Sequence, residues 1–164
     1  MSTKFTSGGV AMVNSHALNL VIEAGKVSTL ISQSLANDLK DKGYIFASPS
    51  ALNFLSALEC GVNYGSDIAR NLGVSRQMVA KTVKDLCKAG YLEQVDAIGK
   101  QKKILFTATG ELLMSDARQL LADMDTLLID KINIQGVRTT IDNLTTIQNI
   151  INELSNSKTD LSIL

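Results

Sequence analysis

Apolar residues near the start of the chain recur at steps of three and four, the spacing of one face of an α-helix. The series runs through Val13, Ala17, Leu20, Val21, Ala24, Val27, Ile31, Leu35 and Leu39. It predicts a long first helix that reaches about Lys42 and stops at Gly43. A second helix is predicted from Ser48-Pro49 to Gly61, because serine caps helix N-termini and proline suits the first helical position.

The middle of the chain predicts two short helices separated by a tight turn. Residues 66–72 form the first helix, and Gly73 supplies a residue that tolerates the left-handed conformation of such a turn. Ser75 then caps a helix that reaches Ala89-Gly90. A helix, a turn and a second helix in this order predict a helix-turn-helix unit.

Two strands and two further helices are predicted after this unit. Residues 91–95 and 103–107 are rich in strand-forming residues, and the polar, glycine-containing stretch between them predicts a hairpin. Apolar stripes predict helices over about 109–132 and 139–155, with a break at Gly136. The predicted fold is therefore mostly α with a small β-hairpin wing, that is, a winged helix-turn-helix lobe with additional helices at both ends.

The helix that begins at Ser75 has two chemically different faces when its residues are placed at about 100° intervals. Around Gln77 lie a small alanine and three basic residues, namely Ala80, Lys81, Lys84 and Lys88. On the opposite side lie Val79, Thr82, Val83 and Leu86. An apolar back and a basic front fit a helix that packs on a core and faces DNA phosphates.

In a docked helix-turn-helix unit, the N-terminal turn of the second helix meets the edges of the bases. Gln77 can pair with adenine there, and Arg76 with guanine or a phosphate. The lysines of the helix and of the wing are expected at phosphates, where they position the protein without reading sequence. The predicted DNA-contacting residues are Ser66, Ser75, Arg76, Gln77, Met78, Lys81, Lys84, Lys88, Lys100, Lys102 and Lys103.

The charge distribution favours such a surface although the formal net charge is zero. Residues 64–107 contain eight basic and four acidic residues, so this segment carries +4 and the remainder −4. No grouping of His16, the cysteines or the carboxylates has the spacing of a catalytic or metal site, so neither an enzyme nor a cofactor is predicted. Cys60 is expected in the core. The lack of a signal sequence and of a long apolar run predicts a cytoplasmic protein with no membrane partner.

Four segments resemble the MarR family, the multiple-antibiotic-resistance regulators. They are Ser48-Pro-Ser-Ala-Leu-Asn-Phe-Leu, Asp67-Ile-Ala-Arg-Asn-Leu-Gly-Val-Ser-Arg-Gln-Met-Val, Leu86-Cys-Lys-Ala-Gly-Tyr-Leu-Glu and Phe106-Thr-Ala-Thr-Gly. The resemblance covers about residues 13–155. One departure lies in the wing, where the family often has Asp-x-Arg and this chain has Ile98-Gly99-Lys100. Lysine keeps the charge but lacks the planar fork of arginine.

The resemblance implies a homodimer that binds double-stranded DNA at a palindromic site. It divides the chain into an N-terminal dimerisation helix (10–45), a winged helix-turn-helix lobe (46–108) and C-terminal linker and dimerisation helices (109–158). It also implies a pocket for a small aromatic effector, with His16, Tyr44, Asn53 and Phe54 as candidate lining residues, although simple packing explains each of them as well. The alternative function is a winged-helix module that binds protein rather than DNA.

Overall fold

A computed structural model of the chain describes residues 15–97 and 102–160. Within them it consists of α1 (His16–Asp41), α2 (Pro49–Glu59), α3 (Gly65–Leu72), α4 (Arg76–Lys88), β1 (Leu92–Asp96), β2 (Lys102–Phe106) and α5 (Ala108–Asp160). The predicted fold class, mostly helical with one antiparallel hairpin, is confirmed. The chain divides into two compact units, the first ending at Met114 and the second beginning at Ser115.

Serine side chains fix the starts of three helices in the first unit. The hydroxyl oxygens of Ser15, Ser48 and Ser75 each accept a hydrogen bond from the backbone N–H three residues later, at 3.3, 3.2 and 3.1 Å. Each bond satisfies a donor that the first helical turn leaves free. Gly73 ends α3 in the left-handed conformation, with φ at 64°. The signals at Ser48, Gly73 and Ser75 explain why these two helix starts and the turn could be predicted from sequence; the cap at Ser15 was not predicted.

The core of the first unit surrounds α2, which packs against α1, α3 and α4. Six of the eleven residues of α2 are buried, and Phe54 and Leu55 are almost completely so. Around them lie the buried apolar residues of the neighbouring elements, including Leu35, Leu39, Ile68, Val79, Val83, Leu86, Leu92, Ile104 and Leu113. The helix-turn-helix unit thus rests on a closed apolar core.

The hairpin pairs Leu92 with Phe106 at its base and Asp96 with Lys102 near its tip. Both strands are shifted by one residue from the sequence prediction. A third segment completes the wing, because the Ile104 N–H donates to the Asn63 carbonyl at 2.9 Å and Tyr64 forms an isolated bridge with Lys103. The wing is therefore attached directly to the residues that begin α3.

The junction between the wing and α5 depends on Thr107 and Gly110. The Thr107 hydroxyl accepts from the Gly110 N–H at 3.1 Å and donates to the Gly90 carbonyl, while the Thr107 N–H donates to the Tyr91 carbonyl at 3.1 Å. A Cβ added at Gly110 would overlap that same Tyr91 carbonyl oxygen. Only glycine allows the first turn of α5 to approach the backbone before β1 so closely.

The break predicted at Gly136 lies at Asn133 instead. Asn133 leaves the helical region, with φ at 55° and ψ at 164°, inside the otherwise continuous α5. Its side-chain oxygen accepts from the Gly136 N–H at 2.9 Å, which is the geometry of an N-cap. Gly136 is thus a donor in the first turn of the following helical segment. The prediction rested on Gly136, but the helix breaks at Asn133.

Candidate nucleic-acid interface

The two faces of α4 are divided as the sequence predicts. Val79, Val83 and Leu86 are 2–4% exposed, whereas Gln77, Ala80, Lys81, Lys84 and Lys88 are exposed. Thr82, on the apolar side, is half-buried, and its hydroxyl donates to the Met78 carbonyl at 3.0 Å. The helix therefore presents a basic face to solvent while its apolar side is anchored in the core.

The N-terminal turn of α4 is open to solvent. Ser75, Arg76, Gln77 and Met78 are all exposed, and Met78 keeps 53% of its accessible surface although its side chain is large and apolar. The Ser75 hydroxyl oxygen caps the helix, and its O–H remains able to donate. Base-reading chemistry is thus available from Arg76, Gln77 and Met78, while Ser75 sets the start of the helix and keeps a donor for a phosphate.

A groove of about 530 Å³ runs between α4 and the wing, and we call it the basic groove. Its lining includes three cationic side chains from two elements, Arg76 and Lys84 of α4 and Lys102 of β2. No carboxylate lies among the described residues that line it. Such a set of side chains favours an anion in the groove. Acidic residues lie beside the lining rather than in it, since Asp96 pairs across the hairpin with Lys102 and the Glu93 carboxylate acts on Cys87.

Two residues of the basic groove, Tyr64 and Gln94, were missed by sequence reasoning. Together with Ser66, which was predicted, they add hydrogen-bonding groups to the lining. Tyr64 reaches the groove because its backbone pairs with Lys103, and Gln94 because it pairs with Ile104 in the hairpin. The position of Tyr64 depends on pairing between distant segments, and that of Gln94 depends on the register of the hairpin; no local sequence signal fixes either.

The remaining predicted DNA-contacting residues lie around this groove or outside it. Ser66 is half-buried, and its hydroxyl is 3.5 Å from a carboxylate oxygen of Asp67. Lys103 is half-buried in β2, whereas Lys88 is exposed at the end of α4, outside the groove lining. Lys100 lies outside the described residues.

A second cavity, of about 360 Å³, lies between α2 and α4 and is called here the α2–α4 cavity. Asn53 and Phe54, two of the predicted effector-binding residues, line it together with Phe46, Met78 and Lys81. The other two predicted residues lie elsewhere, as His16 is exposed in the first turn of α1 and Tyr44 stacks edge-on against Tyr91, with ring centres 6.1 Å apart. The structure thus brings only half of this predicted set together.

The two cysteines differ in exposure. Cys60, expected in the core, is exposed, because it follows the last turn of α2 and lies beyond the buried face of that helix. Cys87 is half-buried in the basic groove. Burial, with a smaller contribution from the Glu93 carboxylate, raises the pKa of the Cys87 thiol above its usual value. The thiol is therefore held in its less reactive protonated form.

Among the described helices, none combines the length and the apolar character needed to span a lipid bilayer. The stretch of α5 richest in exposed apolar side chains is interrupted by polar and charged residues.

No protein-family model matches the chain, and no curated protein matches it. Solved structures do. A MarR-family transcriptional regulator from Rhodococcus sp. RHA1 is 15% identical, with a TM-score of 0.66, over 82% of this chain and 96% of its own. Staphylococcus aureus MepR in complex with DNA is 18% identical, with a TM-score of 0.63, over 84% of this chain and 99% of its own.

An organohalide-sensing transcriptional regulator with 2,4-dichlorophenol bound is 14% identical, with a TM-score of 0.67, over 91% of this chain and 89% of its own. These alignments extend over nearly the whole of each solved chain, so they include the helices outside the winged lobe. The chain therefore has the complete winged helix-turn-helix fold of the MarR-family transcriptional regulators.

Proposed function

We propose that the protein is a MarR-family transcriptional regulator that binds double-stranded DNA in a sequence-specific manner. The observation that carries this proposal is the basic front of α4 beside the basic groove, a surface on which cations from the helix and the wing converge without a lining carboxylate. The solved complex of MepR with DNA supports the assignment, because that protein has the same fold. Arg76, Gln77 and Met78 would face base edges, and Lys81, Lys84, Lys88, Lys100, Lys102 and Lys103 would face phosphates.

The proposal includes a homodimer. Residues 10–45 and 109–158 would supply the dimerisation helices, and residues 46–108 the DNA-binding lobe. Large apolar side chains stay exposed along both helical regions of the single chain, for example Val21 and Leu30 of α1 and Leu127 and Ile151 of α5. Monomeric soluble proteins rarely expose such extended apolar surface, so a second copy is the natural cover. A two-fold dimer would present two α4 helices to an inverted repeat.

We further propose that a small aromatic effector occupies the α2–α4 cavity, against Asn53 and Phe54. The cavity has the size and the mixed lining typical of small-molecule sites. The dichlorophenol-bound regulator of the same fold supports a phenolic ligand class. Isothermal titration with 2,4-dichlorophenol should give a heat of binding that Asn53→Ala reduces and His16→Ala leaves unchanged. Equal binding by the wild type and Asn53→Ala would place the ligand elsewhere.

The main test of DNA binding is its dependence on salt. Affinity for an operator duplex should fall steeply as the salt concentration rises, and Lys84→Ala should reduce the slope of log K against log salt by about one. Lys40→Ala is the matched control, since Lys40 is an exposed helical lysine of α1 and should leave the slope unchanged. A shallow slope without preference for any duplex would favour the protein-binding alternative.

The base-reading assignment has a separate test. Gln77→Ala should blur the preference between operator variants while changing overall affinity little, because only the contact to the base edge is lost. Lys84→Ala should do the reverse and weaken all duplexes by a similar factor. Binding to a panel of single-base operator variants measures both effects, and an unchanged selectivity profile in Gln77→Ala would refute the role of Gln77.

A further inference from the structure

The basic groove has features that a general electrostatic attraction to DNA does not require. Resting on the proposed DNA-binding function, we propose that it is a phosphate clamp in which Lys84 of α4 and Lys102 of β2 hold the same phosphodiester group of the DNA backbone. Tyr64 and Gln94 complete the clamp by contributing hydrogen bonds to that group. The helix and the wing would then act on the duplex as one unit.

The first argument is charge. Arg76, Lys84 and Lys102 line one groove, and within the described residues none of the three forms an ion pair. Cationic side chains on the walls of one groove give it a positive potential, which favours an anion between them. A phosphodiester group carries one negative charge on two oxygens that both accept hydrogen bonds, so it can contact two lysines at once.

The second argument is the rigidity of the two walls. Lys102 is the first residue of β2, and that strand is tied to the start of α3 by the Ile104–Asn63 hydrogen bond and the Tyr64–Lys103 bridge. On the other wall, Lys84 lies in the middle of α4, whose buried side is anchored in the core. The separation of the walls is therefore set before DNA binds, which lowers the entropic cost of closing the clamp.

The third argument is the floor of the groove. Val79, Val83 and Ile104 are 1–4% exposed and line it from below. An apolar floor suits the deoxyribose carbons on each side of a phosphate, and it lowers the local dielectric, so each lysine–phosphate contact is strengthened. Tyr64, Ser66 and Gln94 supply the hydrogen-bonding groups.

Duplexes with a single neutral methylphosphonate, moved one position at a time along each strand, test the clamp. In the wild type, neutralising the clamped phosphate should weaken binding about tenfold. Lys84→Ala and Lys102→Ala should each reduce this penalty at the same position, and the double variant should leave only the smaller part that Tyr64 and Gln94 contribute. Tyr64→Phe, which removes only the hydroxyl, should reduce it two- to threefold there. Lys81→Ala, on the same face of α4 but outside the groove, should leave it intact.

Each result decides a different claim. If Lys84→Ala reduces the penalty at one phosphate and Lys102→Ala reduces it at a different phosphate, the clamp is overturned but DNA binding is not. Failure of the wild-type protein to bind any duplex overturns the proposed function itself. Replacing chloride by inorganic phosphate at equal ionic strength distinguishes a DNA phosphodiester from free inorganic phosphate as the occupant of the groove. Equal loss of DNA affinity in the wild type and Lys84→Ala supports a clamp for the duplex, and a much larger loss in the wild type would assign the groove to the free ion.

Discussion

The winged lobe and the distal part of α5 use the same apolar residue types with opposite outcomes. In the lobe, the large apolar residues of α2 are all buried, and Met78 is the one large apolar residue of α4 that is exposed. Beyond Met114, Leu127, Ile132, Ile141 and Ile151 keep 48–65% of their accessible surface. The lobe buries most of its large apolar side chains in its own core, whereas the second unit leaves many of them exposed.

This difference shows that an apolar stripe along a helix can have two structural outcomes. A period of three to four residues predicts a helix in both regions, and both regions are helical. The period does not say whether the apolar face meets the same chain or a partner. Burying apolar surface yields about 25 cal/mol per Å², so a long exposed stripe is a strong driving force for association. We therefore attribute the folding core to the lobe and propose assembly as the role of the outer helices.

The largest effect is expected from charge placed on the exposed apolar stripe of α5. Leu144→Asp combined with Ile151→Asp should raise the dimer dissociation constant at least about 1,000-fold, because an interface that buries unpaired carboxylates is strongly destabilised. Thr146→Asp combined with Asn149→Asp adds the same charge to the opposite face of the helix and should leave the dimer intact. Sedimentation velocity measures both. A monomeric wild type, or equal effects of the two pairs, would contradict the assignment.

The closed lobe can be tested at its tightest contact. Gly110→Ala should lower the free energy of unfolding by about 3 kcal/mol, because the added methyl group overlaps the Tyr91 carbonyl and nearby backbone must move. Thr109→Ala, at the exposed neighbouring position, should change it by less than about 0.5 kcal/mol. Urea denaturation of both variants checks the difference. If both variants lose the same free energy of unfolding, Gly110 does not approach the Tyr91 carbonyl so closely.

Local chemistry explains how much of this structure could be predicted from sequence. Ser48, Gly73 and Ser75 signal their roles through their own side chains or backbone freedom, and the elements they bound were predicted within one or two residues. The two-faced character of α4 also follows from spacing alone. Tyr64 and Gln94 could not be assigned to the groove lining from sequence. Tyr64 reaches the groove through the long-range pairing of Asn63 and Tyr64 with β2, and Gln94 reaches it through the register of the hairpin.

The break in α5 at Asn133 provides a stability test within the second unit. Asn133→Ala should lower the free energy of unfolding by about 1–2 kcal/mol, because it loses the cap to Gly136 and places a Cβ-bearing residue without that cap at positive φ. Asn133→Gly should have an effect of only a few tenths of a kcal/mol, since relief of strain offsets loss of the cap. Thermal unfolding distinguishes them. Equal losses would mean that backbone strain at Asn133 is unimportant.

The smallest expected effect concerns the thiols at the edge of the lobe. Cys60 should react with iodoacetamide several-fold faster than Cys87 at neutral pH, because Cys60 is exposed while burial raises the pKa of Cys87. As the pH is raised above neutral, the labelling of Cys87 should accelerate at a higher pH than that of an ordinary thiol, because its raised pKa means that the thiolate forms later. Mass spectrometry of peptides after timed alkylation gives both rates, and the Cys60→Ser variant isolates Cys87. Faster labelling of Cys87 would contradict its burial.

Selection of binding sites from random duplexes asks in one experiment whether the lobe reads DNA and whether the outer helices pair two lobes. We expect recovery of an inverted repeat whose half-sites lie about one helical turn, ~34 Å, apart. Recovery of no enriched sequence would contradict DNA reading by α4. Recovery of a single unrepeated half-site would contradict the dimer.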